Sequence, residues 1–421
     1  MNRKRKKPWI YGFWKRLGPG LITGSSDDDP SGIATYSQAG AGFGLSTLWT
    51  ALITFPLMAS IQEMCARIGL VTSQGLTGTL KKNYSKFVLY TMLLFSFPAI
   101  ILNIGADIAG MGAVGHLLIP QLPAGYFAVF FTIFLLVGII YLPYIRIVNY
   151  LKWLCVVLLL YCIIPFLNKQ DWGEILKSTF IPTIRFNKDF LLMLVAILGT
   201  TISPYLFFWQ TSIEVEDMKH RKRHIMVNKR IIREMNEDID FGMLFSNVVM
   251  WFIILTTGTV LFKGQLFQID TVEQAAQALR PLAGNFSYLL FAIGVIGTGL
   301  LAIPVLSGSL SYIFCETFGW VEGLDKKFSE ARPFYLVIAI SLLIGLSLNY
   351  IGISPIQGLI YAAVLYGLTA PVLIAIILHI SNNKKIMGKF TNGRISNIFG
   401  FATLILMTIS AMLLIYLQFF R

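Results

Sequence analysis

The stretch from residue 25 to 35 reads SSDDDPSGIAT, with Asp27, Asp28 and Asp29 in succession, then Pro30, Ser31 and Gly32. It lies between LGPGLITG and IATYSQAGAGFG, apolar small-residue segments of the kind that pack inside a membrane protein. A carboxylate at the bilayer centre costs roughly 2.5–3.5 kcal/mol on insertion scales, so three together call for a cation or a water-filled cavity. Carboxylates and backbone carbonyls are hard oxygen ligands suited to Mg2+, Ca2+ or Mn2+. A second apolar run, GTTISPYLFFWQTS, is interrupted by Ser203 and Pro204. Proline removes a backbone donor and clashes with the preceding turn, so each run is expected to break into two half-helices whose freed carbonyls become available to a ligand. Of the four histidines, His116 and His379 fall near segment ends and His220 and His224 in a basic loop. That distribution argues against a zinc or copper site.

The elements that position these residues are membrane spans. The chain has 421 residues, 56% of them hydrophobic and 13% charged, with a mean hydropathy of +0.70. This is the composition of an all-α polytopic membrane protein. Windows of about 20 apolar residues give about eleven transmembrane helices, near residues 18–43, 46–70, 87–118, 124–145, 147–167, 190–214, 240–263, 284–315, 333–351, 354–380 and 396–419. Residues 1–17 form a basic segment ahead of a single transmembrane domain over 18–421. No cleavable signal peptide is expected, since no small-residue cleavage site follows a short apolar core. Cys65, Cys155, Cys162 and Cys315 all fall in apolar segments and read as packing residues.

The net charge of +13 is concentrated in two blocks, seven Lys and Arg in the first sixteen residues and seven more between Lys219 and Arg233. Blocks between spans are an orientation signal, and no nucleic-acid partner is expected. With the amino terminus in the cytoplasm, the inner loops carry Lys81, Lys82, Lys86, Arg146, the 219–233 block, Lys326, Lys327, Arg332, Lys384, Lys385, Lys389 and Arg394. The outer loops IPQLPAG and NYIGIS carry none. An odd number of spans leaves the carboxyl terminus outside, and the expected location is the plasma membrane.

Two broken helices five spans apart, in the first and sixth positions, are the sequence mark of a 5+5 inverted-repeat fold of the leucine-transporter type. The repeats are expected near residues 18–167 and 190–380, with helix 11 near 396–419. GPGLITGSSDDDPSG, GLSTLW, QEMCARIGLVTSQGL, LGTTISPYLF and KKIMGKFTNG occur in the order found in the NRAMP (natural resistance-associated macrophage protein) metal-ion transporters, and from about Leu17 to Gly393 the chain resembles that family. In the family the first break reads Asp-Pro-Gly-Asn and the sixth Met-Pro-His. The Asp, Asn and Met side chains and a carbonyl three residues before the Met hold the metal. The resemblance therefore implies Asp29 and the Thr200 carbonyl as ligands, with Gly32 at the Asn position and Ser203 at the Met position.

Those departures have a chemical direction. A thioether favours transition metals and a hydroxyl removes that bias, while Gly32 leaves room for water. Mg2+ keeps several waters while one or two carboxylates hold it, so the site fits hydrated Mg2+, with Mn2+ as a further cargo. The family's proton route uses histidines and span-three acids. Here Tyr205 and Gln210 stand at the histidine positions and Asp107 is the acid that remains. An ordinary tyrosine titrates near pH ~10 and glutamine not at all, so uncoupled transport is expected, as in the NRAMP-related magnesium transporters. Asp28 is a further candidate ligand. Asp27, Pro30, Ser31, Pro204, Tyr205, Trp209, Gln210, Glu63 and Asp107 are expected to line the site or pathway. Glu214, Glu216 and Asp217 are expected to be solvated or paired with the basic block.

The expectation is a monomeric importer of Mg2+ or Mn2+ working by alternating access in the lipid bilayer, with the divalent metal ion as cargo and no cofactor. The alternatives are a proton-coupled Mn2+/Fe2+ importer, an organic amine or solute carrier on the same fold, and a metal sensor signalling through the basic loop. An enzyme is not expected, since no nucleophile, base and orienting group can be assembled from the spans.

Overall fold

The computed structural model describes residues 18–142, 159–167, 169–220, 227–350, 352 and 354–419. The basic amino-terminal segment, the loop residue Arg146, most of the expected fifth span with Cys155, and the 221–226 part of the basic block lie outside them. The described residues are helical and contain no strand.

The first expected span is two helices, α1 (Pro19–Asp27) and α2 (Pro30–Phe43). Helix α1 stops at Asp28, whose ψ of 49° leaves the helical region, and α2 restarts with Asp29 as N-cap and Pro30 in its first turn. Proline at that position loses no bond, because the first amides of a helix have no partner within it. Gly44, at φ +60°, ends α2 in a left-handed conformation that favours glycine. A short 3-10 turn then leads to α3 (Trp49–Thr72), bent 108° from α2.

The bundle continues through α4 (Leu76–Asn83), α5 (Lys86–Leu118), α6 (Ala124–Tyr141), α7 (Leu160–Leu167) and α8 (Trp172–Phe180). The sixth expected span is again two pieces, α9 (Lys188–Thr201) and α10 (Pro204–His220), separated at Ile202 and Ser203. Then follow α11 (Lys229–Val260), α12 (Val272–Ala276), α13 (Arg280–Ala283), α14 (Ser287–Phe318), α15 (Arg332–Leu348), α16 (Pro355–Asn382), α17 (Lys384–Met387) and α18 (Arg394–Phe419).

Among the described residues, seven helical segments are long and apolar enough to cross a bilayer, α9 and α10 counting as one. Four of the expected spans fall outside that count. The α1–α2 pair carries three carboxylates, α3 is joined to α2 at the bend, α15 has 17 residues, and the fifth span is described only from residue 159. Helix α11 departs from its expected start near residue 240 and begins at Lys229. Its extra turns are charged rather than apolar and are held by Arg230–Glu234 and Arg233–Glu237 pairs at i,i+4, each at 3.0 Å. Part of the block expected as loop is therefore helix.

Close packing against both breaks relies on small residues. Gly24 of α1 faces Gly242 of α11 so closely that a Cβ at Gly24 would lie 2.2 Å from the Gly242 carbonyl oxygen. Gly199 of α9 meets α16 in the same way, 2.0 Å from the Ala363 oxygen. Such approach is how membrane helices gain packing without a hydrophobic drive. The outer faces of α6 and α18 expose Phe130, Ile133 and Phe134, and Ile405, Ile409 and Met412, as lipid-facing surface should.

Candidate metal site at the helix breaks

The two breaks meet inside the bundle. Tyr205, the second residue of α10, donates its hydroxyl proton to the Ser26 carbonyl near the end of α1 at 2.9 Å. Ser31, in the first turn of α2, bonds the Leu359 carbonyl of α16 at 2.8 Å. Tyr36 reaches Thr201 at 3.1 Å, next to the second break. The proline-forced ends are thus tied to each other and to α16 by hydroxyl bonds, two to backbone carbonyls and one to a second hydroxyl.

Asp29 is 2% exposed. Its Oδ1 accepts the Gly32 amide at 2.7 Å, which caps α2, and its Oδ2 accepts Asn103 Nδ2 of α5 at 2.9 Å. Gly32 contributes an amide and no side chain. A Cβ there would sit 3.3 Å from the Tyr36 ring and 3.2 Å from the Asp27 carbonyl oxygen. At the second break Ser203 Oγ donates to the Thr200 carbonyl. The hydroxyl proton is used locally, which leaves the Ser203 oxygen as an acceptor with lone pairs to offer. Asp27 and Asp28 turn toward α11, where Ser246 Oγ lies 3.0 Å from Asp27 Oδ2 and 3.1 Å from Asp28 Oδ1.

Asp107 lies one turn beyond Asn103 on α5, fully buried, and neither of its carboxylate oxygens has a hydrogen-bond partner. Asn103 Oδ1 and the Tyr366 hydroxyl of α16 are also buried without partners. Among the described residues no Lys or Arg forms an ion pair with Asp27, Asp28, Asp29 or Asp107. The buried basic residue Arg67 instead donates to Asn392 at 2.6 Å. Among the described residues no three His, Cys, Asp or Glu side chains converge on one point. A cation held here therefore takes a mixed set of carboxylate, hydroxyl and carbonyl oxygens, the donor set of a hard divalent ion.

The other expected pathway residues divide. Gln210 bonds Thr23 of α1 and donates to Glu214 at 2.9 Å, so a polar line runs from α1 along α10. Trp209 is buried, with its ring 6.3 Å from that of Tyr312. Pro30 lies against α5 and α14, close to Gly110 and Gly299. Glu63 is half-buried and keeps company with Arg67 and Asp240 rather than with the acids of the break.

Glu214 and Glu216 are buried, so they are not solvated, while Lys219 of the basic block lies within electrostatic reach of Glu216. Glu216 accepts the Tyr312 hydroxyl at 2.5 Å and the Leu324 amide at 3.0 Å, partners from α14 and its following loop that adjacent sequence does not show. It helps line a cavity of about 800 Å³ at the end of the bundle bearing Lys81, Lys82, Lys219 and Lys326, together with Glu316 and Glu322.

Glu322 lies in the loop after α14, outside the spans. Burial and then Glu316 push its carboxyl up to about 9, with Lys219 opposing and Glu216 adding. A folded value above the ordinary one of 4.5 means that protonated Glu322 favours the fold. That contribution is complete below pH ~4.5 and is lost as pH rises toward ~9. Glu322→Gln should accordingly unfold at a midpoint roughly 2–4 °C above the wild type at pH ~10, and at the same midpoint near pH ~4. Thermal unfolding in detergent at the two pH values checks this, and equal midpoints at the higher one would contradict it.

Asn103, Ser246 and Asp238 carry contacts that the sequence reading missed. The i,i+4 spacing of Asn103 and Asp107 in an otherwise apolar span was a usable signal for the first. The Ser246–Asn247 pair inside MLFSNVVMWF was one for the second.

Two helices broken at matching positions and tied at their breaks define a membrane transporter of the inverted-repeat fold, not an enzyme. The same architecture is found in a solved manganese transporter of Eremococcus coleocola in complex with an aromatic bis-isothiourea substituted compound. That structure matches with a TM-score of 0.74 at 18% identity, over 98% of this chain and 89% of that one. Mhp1, a nucleobase-cation-symport-1 family transporter in a closed conformation, matches with a TM-score of 0.55 at 12% identity, over 95% and 92%. The chain belongs to the natural resistance-associated macrophage protein-like (NRAMP) family, whose profile it matches over residues 20–417. Similar relatives include the divalent metal cation transporter MntH of Caldanaerobacter subterraneus subsp. tengcongensis, 26% identical over 96% of this chain and 93% of the relative. MntH of Bacillus subtilis is 24% identical over 90% and 86%.

Proposed function

We propose that the protein imports a divalent metal cation across the plasma membrane by alternating access, binding it between the two helix breaks. The observation that carries this reading is the group of four buried carboxyls, Asp27, Asp28, Asp29 and Asp107, without a basic partner among the described residues. Unpaired charge at that depth is retained where a cation compensates it. An organic amine would bring one charge, and these walls offer it four acids. In this reading Asp29, the Thr200 carbonyl and Ser203 supply the ligand oxygens, and Gly32 adds no side-chain ligand. The membrane potential drives entry, at about 2.3 kcal/mol per charge per 100 mV.

Two readings of the cargo stand on different observations. The family relatives named divalent metal cation transporters, and the fold neighbour named a manganese transporter, support Mn2+ over the Mg2+ that the ligand chemistry put first. In favour of Mg2+, a hydroxyl at Ser203 and no side chain at Gly32 make an oxygen-lined site with no soft ligand. Competitive uptake of the two ions into proteoliposomes, with internal pH followed, decides between them. Acidification that tracks metal entry would establish proton coupling, and its absence would leave the potential as the drive. Ser203→Met places a thioether at the second break and should raise the Mn2+ over Mg2+ preference at least about tenfold. An unchanged ratio would remove Ser203 from the ligand set.

A further inference from the structure

The acids of the first break are more than one ion requires, and they face different walls. Asp29 has both oxygens engaged on one side, by the Gly32 amide and Asn103. Asp27 and Asp28, each 1% exposed, turn toward α11 and share Ser246. A serine hydroxyl has one proton and donates to one acceptor at a time, so one carboxylate of the pair always lacks a donor there. Beyond that contact, Asp27 Oδ1 and Asp28 Oδ2 are buried with no hydrogen-bond partner at all. Two adjacent carboxylates with orphaned oxygens in a medium of low polarity repel each other and have lost their hydration.

Charge balance points the same way. Four buried carboxyls, with Asp107 the fourth, carry up to four negative charges, and a single divalent ion at Asp29 offsets two. A second ion against Asp27 and Asp28 offsets the rest. It would take the two orphaned oxygens as ligands, with the Ser246 hydroxyl turned to offer its lone pair.

We propose that Asp27, Asp28 and Ser246 form a second subsite for a hard divalent cation, separate from the Asp29 subsite, so that the protein holds two ions at once. The count of two rests on the Asp29 reading above; the subsite itself does not.

The test counts Mn2+ bound to the purified full-length protein after equilibrium dialysis, by metal analysis and by electron paramagnetic resonance. The wild type should bind two ions and the Asp27→Asn/Asp28→Asn double variant one. Ser246→Ala, which keeps both carboxylates, should weaken the second ion roughly tenfold. Asp29→Asn should keep the ion at the pair. One ion in both the wild type and the double variant overturns the subsite. So does loss of all binding in the double variant, which would mean one shared site. Two ions in Asp29→Asn with one in the double variant would support the subsite and refute the Asp29 assignment, and no binding in the wild type refutes both.

Discussion

Replacing Asp29 with asparagine is expected to bring Mn2+ uptake down to the level of empty liposomes in a protein that still folds. Two roles of this side chain need separating. As N-cap of α2 it accepts the Gly32 amide, and it also accepts from Asn103. Asparagine caps a helix about as well as aspartate, so the capping role survives the exchange, whereas alanine would lose about 1 kcal/mol of it. The charge does not survive. Removing one partner of a buried charged pair costs about 3–5 kcal/mol, which is a loss of roughly two to three and a half powers of ten in affinity. Uptake of Mn2+ by reconstituted Asp29→Asn, with the unfolding midpoint as control, tests this. Substantial transport at an unchanged midpoint would show that Asp29 only caps the helix, and would move the ligand role to Asp27 and Asp28.

The breaks themselves were legible in the sequence because proline acts locally. Pro30 and Pro204 each open the second half of a broken helix, and no distant residue is needed to know that. The acids pointed to a candidate site for a similar reason, since a carboxylate in lipid calls for compensation whatever group supplies it. What surrounds them was not legible. Asn103 bonds an aspartate 74 positions earlier, and Ser246 bonds two acids more than 200 positions away. Polar residues of this kind in apolar runs are as often back-bonded to their own helix, as Thr257 and Thr259 are here. Of the acids after the sixth span, Glu214 and Glu216 proved buried where solvent was one of the two expectations. Glu216 has basic sequence neighbours, but it is buried against Tyr312 and Leu324, nearly a hundred or more positions on. Helix α11 was clipped because hydropathy marks where the lipid begins, while helical bonding continued outward through salt-bridged turns.

Asp238→Ala is expected to free α1 from α11 and raise the reactivity of a thiol placed at buried Ser25 about tenfold or more. The carboxylate of Asp238 stands at the amino end of α1, where the first amides have no helical partner and the helix dipole is positive. It accepts the Gly18 amide at 2.8 Å and the Gly20 amide at 2.7 Å. Just beyond, Gly20 and Gly24 lie against Ile239 and Gly242 with no room for a side chain, so capping and packing hold the same face of the half-helix. Alternating access requires one half of a broken helix to leave its neighbour while the other stays. Of the two halves, α2 is tied to α5 through Asp29 and to α16 through Ser31, while α1 at its amino end is tied to α11 through Asp238. Hydrogen bonds to a charged group contribute about 1.5–3 kcal/mol each, and the freed amides regain part of that from water. A net loss of about 1.4 kcal/mol already shifts the released population tenfold. The measurement is the maleimide labelling rate of Ser25→Cys with and without Asp238→Ala, in a background without the native cysteines. Asp238→Asn, which keeps an acceptor without the charge, should fall between the two. Equal rates in all three would mean that the glycine packing alone holds α1 in place.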